Sequence, residues 1–380
     1  MCICEPTRRG SPTADWTARL NGNPLPWLLD DAAPAVRHLA LRRLLDRPAD
    51  DPEVAAARGA AMDSNPIAAF LAEQRPEGWW GKPGAGYGPK YASTVWSLMF
   101  LDQMGADGGD PRVRLACEYV LQHTQTANGG FGAVAALGRV PAPSSVVHCL
   151  TGNLIRALVG FGWLDDERVQ RAVEFEAAAI TGEGGFKFNH SYLPGPGFCC
   201  GANDRLPCAW GATKAVLALA RVPVERRSAP AQRAVDAGVE FLLSRDPVVA
   251  DYPMGYGATK PNGSWFKLGF PSGYVTDVLQ VLEALCEAGA AGDPRLGHAI
   301  EWLLSQQDAE GHWANNYAYH GKMVATIDRP GLPSRWVTLR ACSVLKAVAE
   351  AAAAGPLDPG GKRRSSRRYD RGRKRRPRDS

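Results

Sequence analysis

The chain repeats itself, and the interval of the repeat leaves few architectures open. Four segments share one pattern: Asp110-Pro111-Arg112-Val113 running to Glu118-Tyr119, Asp166-Glu167-Arg168-Val169 to Glu174-Phe175, Gln232-Arg233-Ala234 to Glu240-Phe241, and Asp293-Pro294-Arg295-Leu296 to Glu301-Trp302. The spacing is roughly 60 residues, and a fainter copy runs from Asp51-Pro52 to Phe70-Leu71. A unit repeated in this way buries its apolar face against its neighbours, so the whole is an array or ring of like units. Val113, Ala116, Cys117, Val120 and Leu121 fall on one helical stripe, and Leu296, Ala299, Ile300, Leu303 and Leu304 repeat those offsets. The Asp-Pro opening suits a cap followed by a proline whose missing N–H costs nothing in the first turn.

Between these one-faced helices lie segments that are apolar on more than one face: 91–104, 144–161, 208–220, 272–288 and 334–353, with 35–45 as an earlier member. A helix apolar nearly all round is buried on both sides. Alternation of the two kinds predicts an outer ring of helices wrapped around an inner ring. Connections from inner to outer helices are short (105–109, 288–292), whereas the returns are long (124–143, 181–207, 245–271, 307–333). Loops longer than about 12–15 residues are uncommon in compact domains and often functional. In a ring of hairpins they gather at one end, together with the inner-helix N-termini. Pro143-Ser144, Pro271-Ser272 and Pro333-Ser334 are expected to open three of those helices.

The long loops begin with a recurring phrase: Gln74-x-x-x-Gly78-Trp79-Trp80-Gly81, Gln125-x-x-x-Gly129-Gly130-Phe131-Gly132, Gly184-Gly185-Phe186, and Gln307-x-x-x-Gly311-His312-Trp313. This phrase resembles the Gln-and-aromatic repeat of squalene-hopene cyclases and the related repeat of protein prenyltransferase β subunits. The likeness covers about residues 60 to 350. It implies an all-α fold, an α/α toroid of five to six hairpins enclosing a central cavity. Cys149-Leu150-Thr151-Gly152-Asn153, Cys208-Ala209-Trp210-Gly211-Ala212 and Ser334-Arg335-Trp336-Val337-Thr338-Leu339 also resemble bacterial proteins with prenyltransferase and squalene oxidase repeats. In this reading residues 1–25 form a flexible N-terminal extension, 26–355 the toroid, and 356–380 a disordered basic tail.

The chemistry of the resembled families is carried over only in part. The Asp-x-Asp-Asp acid of class II terpene cyclases is absent, since Asp30-Asp31, Asp50-Asp51 and Asp165-Asp166 are pairs at turns or helix starts. No Asp-rich magnesium motif stands out, and the Asp-x-Cys zinc element of prenyltransferases has no counterpart. A different cluster lies at the long-loop end: His148, Cys149, Cys200, Cys208 and His190. Thiolates and an imidazole suit tetrahedral zinc, although Cys200-x7-Cys208 is not a familiar ligand spacing and buried apolar cysteines are the plainer reading. Asp204, Asp277 and His320 are the candidate acids and bases, with a turn for Asp204 and a cap for Asp277 as their structural alternatives. Trp210, Tyr274, Trp336 and Arg335 are expected to line the cavity. Parallel inner helices aim their N-terminal dipoles at one mouth, which favours an anionic group, and Lys260 and Lys267 add charge there.

Charge divides the chain. Residues 362–380 hold eleven Lys/Arg and two Asp, so the overall +5 leaves −4 for residues 1–361. Such a tail attracts acidic lipid or nucleic acid without sequence preference, or is simply solvated. Nine cysteines, an odd number, point to reduced thiols and a cytoplasmic setting, peripheral to a membrane if the tail docks there. Neither a secretory signal nor a membrane-spanning run is read from the sequence. Three functions remain open: a prenyltransferase- or cyclase-like protein acting on an isoprenoid or other apolar chain, a non-catalytic toroid binding lipid or peptide, and a zinc enzyme acting on thiols or peptides, as lanthipeptide cyclases do.

Overall fold

The computed structural model describes residues 15–135, 138–183 and 195–355, and among these residues strand pairing is confined to isolated bridges. The helices are α1 (Leu25–Leu28), α2 (Pro34–Arg43), α3 (Pro52–Met62), α4 (Ile67–Ala72), α5 (Thr94–Gln103), α6 (Pro111–His123), α7 (His148–Gly160), α8 (Glu167–Thr181), α9 (Ala209–Ala220), α10 (Ala229–Leu243), α11 (Val278–Glu287), α12 (Gly297–Ser305) and α13 (Arg335–Ala353). The two kinds of helix differ in burial as their sequences demand. In α5 every residue from Thr94 to Asp102 is buried, whereas α6 buries one stripe, Val113, Ala116, Cys117, Tyr119, Val120 and Leu121. The inner helices pack in order, α5 on α7, α7 on α9, α9 on α11, α11 on α13 and α13 on α2. Leu39 of α2 meets Gly105 at the end of α5, which closes the circle. The fold is an α/α toroid.

Each part of the repeat has a job in holding neighbouring hairpins together. Asp110, Asp166 and Asp293 cap their helices by accepting from the backbone N–H of Arg112, Arg168 and Arg295. Arg168 also reaches Glu118 of the preceding outer helix at 2.7 and 2.8 Å, and Arg295 reaches Glu240 at 3.0 Å. These pairs are half exposed, so they set register more than they add stability. Gln74 donates to the Arg112 carbonyl and Gln125 to that of Arg168, which ties each turn to the next outer helix. Gly78 and Gly129 have positive φ (95° and 100°) and lie against the first turns of those helices, where a Cβ would collide with Leu115 and the Arg171 carbonyl. Trp80, Phe131 and Trp313 fill the gaps between hairpins and are fully buried. Their backbone N–H groups donate to Thr94, Thr151 and Thr338 in the first turns of the inner helices.

Three expectations are corrected. First, the segment 15–24, placed by sequence in a flexible extension, is part of the body. Arg19 pairs with Glu301 at 2.6 Å, Asn21 binds Gln307 and Asp308, and Gly22 packs on Gly311. This segment takes the position on the last repeat that a following outer helix would occupy, and so seals the ring. Residues 1–14 and 356–380 lie outside the described residues. Second, only Ser334 among the Pro-Ser pairs caps a helix, accepting from the N–H of Val337: 143–145 is a separate turn, and α11 starts at Val278 under an Asp277 cap. Third, the centre of the ring is not hollow. Residues 269–276 descend into it and are held from several sides. Gln103 of α5 exchanges hydrogen bonds with the backbone of Ser272, Asn153 of α7 donates to Gly273, Lys214 of α9 to Val275, and Arg340 of α13 to Gly269.

The hairpin α10–α11 lacks the Gln-and-aromatic phrase, yet the gap is filled. Tyr252 donates its hydroxyl to the Leu242 carbonyl at 2.6 Å. Trp80 bonds Phe70 and Trp313 bonds Leu303 across the same sequence offset. Tyr252→Phe should therefore keep the fold and cost about 1 kcal/mol, read as a lowered midpoint of chemical denaturation.

Candidate functional site

The plug gives the ring a floor. Above it, Tyr274 and Val275 face the first turns of α7 and α9 and the long connection 250–265, enclosing a cavity of about 520 Å³. Such a volume is typical of a small-molecule site. Aromatic side chains dominate its surface: Tyr91, Trp210, Tyr252, Trp265 and Tyr274. Lys90 and Lys260 also line it and make no ion pair among the described residues. The Lys90 ammonium lies 5.1 Å from the Tyr91 ring centre and 5.9 Å from that of Tyr274. It rests on π faces rather than on a carboxylate.

Three cysteines, Cys149, Cys200 and Cys208, line this cavity. Burial pushes the Cys149 thiol up to about 12, which keeps it protonated and inert. The Cys208 thiol is the largest influence on Cys200, against which burial acts; backbone N–H groups of Ala202 and Asn203 and the charge on His148 add to the Cys208 effect. Together they hold Cys200 below the ordinary thiol range and Cys208 above it. Behind the thiols, His148 bonds Glu176 of α8 through Nδ1 at 2.7 Å, both side chains being buried. Burial opposes a charge on His148, but Glu176 outweighs it and holds the imidazole above its ordinary value. The second carboxylate oxygen of Glu176 has no hydrogen-bond partner among the described residues. Iodoacetamide should thus label Cys200 ahead of the other described cysteines at neutral pH, and Cys208→Ala should move the midpoint of its rate–pH profile upward. Peptide mapping that finds Cys199 labelled first, with an ordinary thiol midpoint, would contradict this order.

The residues nominated from sequence fall into distinct places. Trp210, Tyr274, Cys149, Cys200 and Cys208 line the cavity, and His148 lies behind its wall. Asp204, Asp277 and His320 do not line it. Asp277 accepts from the N–H of Gln280 and of Gly269, which makes it a buried cap that also anchors the plug. Asp204 sits in a left-handed turn (φ 56°) and His320 is exposed. Trp336 stacks on Phe270, with ring centres 4.6 Å apart. Arg335 pairs with Asp30 at 2.7 Å and lies over Trp27, so it fastens the ring seam and leaves the cavity alone. Lys267 closes a short turn at 263–266. His190 lies outside the described residues. Among those described, no three His, Cys, Asp or Glu side chains are placed to hold a metal ion together.

Sequence reasoning missed Lys90, Tyr91, Tyr252 and Glu176. Glu176 had a readable signal, a carboxylate on the apolar stripe of Val169, Ala172, Val173 and Ile180. Lys214 was missed as well. It is fully buried on α9, bonds among the described residues only the neutral oxygens of Val275, Thr276 and Gln280, and is lowered to about 8 by burial.

No protein-family model matches the chain, and no curated protein matches it. Solved structures do. A variant of the type II terpene cyclase MstE from Scytonema, in complex with geranylgeranyl dihydroxybenzoate, is 16% identical, with 85% of this chain and 88% of that one aligned and a TM-score of 0.41. An unsaturated glucuronyl hydrolase specific for heparin is 12% identical over 84% and 86% of the two chains, with a TM-score of 0.46. A polysaccharide lyase is 13% identical over 90% and 96%, with a TM-score of 0.43. The chain is similar to toroids of differing chemistry, and its fold assignment rests on its own helices. Among the described residues no helix is long and apolar enough to cross a membrane.

Proposed function

We propose that the cavity above the plug binds a compact apolar chain carrying an anionic end, an isoprenoid phosphate being the class it fits best. One observation carries this reading: five aromatic side chains and two lysines that have no carboxylate partner among the described residues share a single enclosure of about 520 Å³. Rings supply apolar contact and stabilise developing positive charge, while Lys90 and Lys260 supply the attraction for a phosphate or carboxylate. The inner helices α7 and α9 add the positive ends of their dipoles at the same wall. With no Asp-x-Asp-Asp acid in the sequence, binding followed by transfer is favoured over protonation of an alkene.

Calorimetric titration of the full chain with geranyl diphosphate tests this. Saturable binding is expected, weakened about tenfold by Lys260→Ala, an amount equal to roughly 1.4 kcal/mol. Absence of binding, or binding indifferent to Lys260→Ala, Lys90→Ala and Trp210→Ala alike, would sink the reading. A second reading is favoured by the Cys200–Cys208 pair on the cavity wall, with His148 and Glu176 behind it. There the ligand is an electrophile and Cys200 its nucleophile. A covalent adduct at Cys200, detected by intact mass after incubation with a substrate-like electrophile and lost in Cys200→Ala, would favour it.

A further inference from the structure

The opposite rim of the toroid holds a second enclosure that the proposed function does not use. The short turns 105–109 and 160–162 meet the C-terminal ends of α2 and α9 around a space of about 560 Å³. Its charged lining is Arg42, Arg43, Arg58 and Arg221 against Asp102 and Asp107, four cations against two anions. This excess stands in a body whose net charge is −4 over residues 1–361, so it is a local concentration and not a reflection of composition. Both acids are already engaged, Asp102 with Arg221 at 3.3 Å and Asp107 with Arg58 at 3.5 Å. Arg42 donates to the Arg47 carbonyl and has no carboxylate partner among the described residues. Arg43 makes no side-chain hydrogen bond or ion pair among the described residues; burial is the main influence opposing its charge, Arg221 and Arg156 repel it, and Glu287 and Glu283 attract it without outweighing them.

From this geometry we infer a binding site for a small polyanion, a phosphate or phosphoester bearing two or more negative charges, held by Arg42 and Arg43 with Arg58 and Arg221 at its flanks. Guanidinium groups are suited to the task because each presents a planar fork of donors that matches two phosphate oxygens. The turns that frame the space leave it open. Gly105, Gly108, Gly109, Gly160 and Gly162 contribute no side chains to fill it. Gly160 in particular cannot carry one, since a Cβ there would fall 2.2 Å from an Asp102 oxygen and 2.7 Å from the Arg221 guanidinium. His38 reports the local potential. Burial holds it below its ordinary value, with Arg58, Arg42 and Arg43 adding to the effect, so an anion in the pocket would draw its titration upward. Neutralising the rim would also relieve the repulsion on Arg43, which couples occupancy to the stability of α2 and hence of the ring seam.

Two sources offer this chemistry, a soluble phosphate compound and a phosphorylated lipid headgroup, and the test separates them. Calorimetry of the full chain with inorganic pyrophosphate is run alongside flotation with vesicles containing a phosphoinositide. The variants are Arg42→Gln/Arg43→Gln, Arg58→Gln, and Lys260→Ala as a control for the upper cavity. Circular dichroism establishes that each is folded. The basic tail is unchanged in all of them, so differences between variants belong to the rim. Pyrophosphate binding that falls tenfold or more in the double variant and persists in Lys260→Ala supports a soluble ligand at this site. Flotation lost in the double variant, with weak pyrophosphate binding, supports the same site with a headgroup as occupant. Binding of both probes unchanged in the double variant and in Arg58→Gln overturns the assignment, as does failure of the folded wild type to bind either. Failure of geranyl diphosphate to bind the upper cavity leaves the rim assignment standing, because Lys260→Ala reads the two sites apart.

Discussion

Arg340→Ala should destabilise the protein by about 3–5 kcal/mol, the cost of leaving a buried ion without its partner. The Arg340 guanidinium is bidentate to Glu283, at 2.9 and 2.6 Å, donates to the Gly269 carbonyl at the mouth of the plug, and lies 3.7 Å from Asp277. All three charged side chains are buried. Burial raises Asp277 above the ordinary carboxylate value even with the arginine present, whereas Arg340 outweighs burial at Glu283 and holds it below. Removing the guanidinium strands both acids and frees the start of the plug. Arg340→Met combined with Glu283→Gln should recover part of the loss and not all of it, because Glu283 is then neutral while the buried Asp277 still lacks its cation. Denaturation midpoints of the single and double variants decide the matter. A change below about 1 kcal/mol in Arg340→Ala would mean that the network is solvated and that the centre is not filled as described.

Trp313→Ala should cost a similar amount, about 3–5 kcal/mol, through a cavity between the last hairpin and the ring seam. The indole is fully buried, its Nε1–H donates to the Leu303 carbonyl at 2.7 Å, and its backbone N–H donates to Thr338 at 2.9 Å. Trp313→Phe retains most of the volume and loses the indole bond, so it should cost distinctly less. Trp80→Ala, at the equivalent place in the first hairpin, should behave alike, since Trp80 is fully buried and bonds Phe70 at the same distance. An exposed-surface response, within about 0.5 kcal/mol for either, would show that these rings are not the wedges between hairpins.

Much of this architecture was legible because helical periodicity is a local property. The stripe on α6, the all-round apolarity of α5, and the Asp-Pro caps each follow from residues within a turn or two of one another. What the repeat could not show was where the chain departs from it. The plug at 269–276 satisfies its backbone groups through Gln103, Asn153 and Arg340, which lie far away in sequence. No window around Phe270 carries that information. Arg335 and Trp336 looked like cavity residues because they open an inner helix, but the seam claims Arg335 through Asp30 and the plug claims Trp336 through Phe270. At the candidate site, position along an inner helix located Cys149, Cys208 and Trp210, since the first turn always faces the long-loop rim. Lys90, Tyr91 and Tyr252 enter from loops, whose course periodicity does not determine. The buried His148–Glu176 pair joins an inner helix to an outer one, and only the charge on an otherwise apolar stripe announced it.

Photolabelling measures the central claim, that a ligand sits above a filled centre and against α7 and α9. A geranyl diphosphate analogue bearing a photoreactive group on its apolar end is cross-linked to the full chain, and the labelled peptides are identified by mass spectrometry. Labelling concentrated on peptides containing Tyr91, Cys149, Trp210 or Tyr274, and suppressed by excess geranyl diphosphate, is the expected result. Labelling on residues of the opposite rim, or scattered labelling that excess ligand does not suppress, would contradict it.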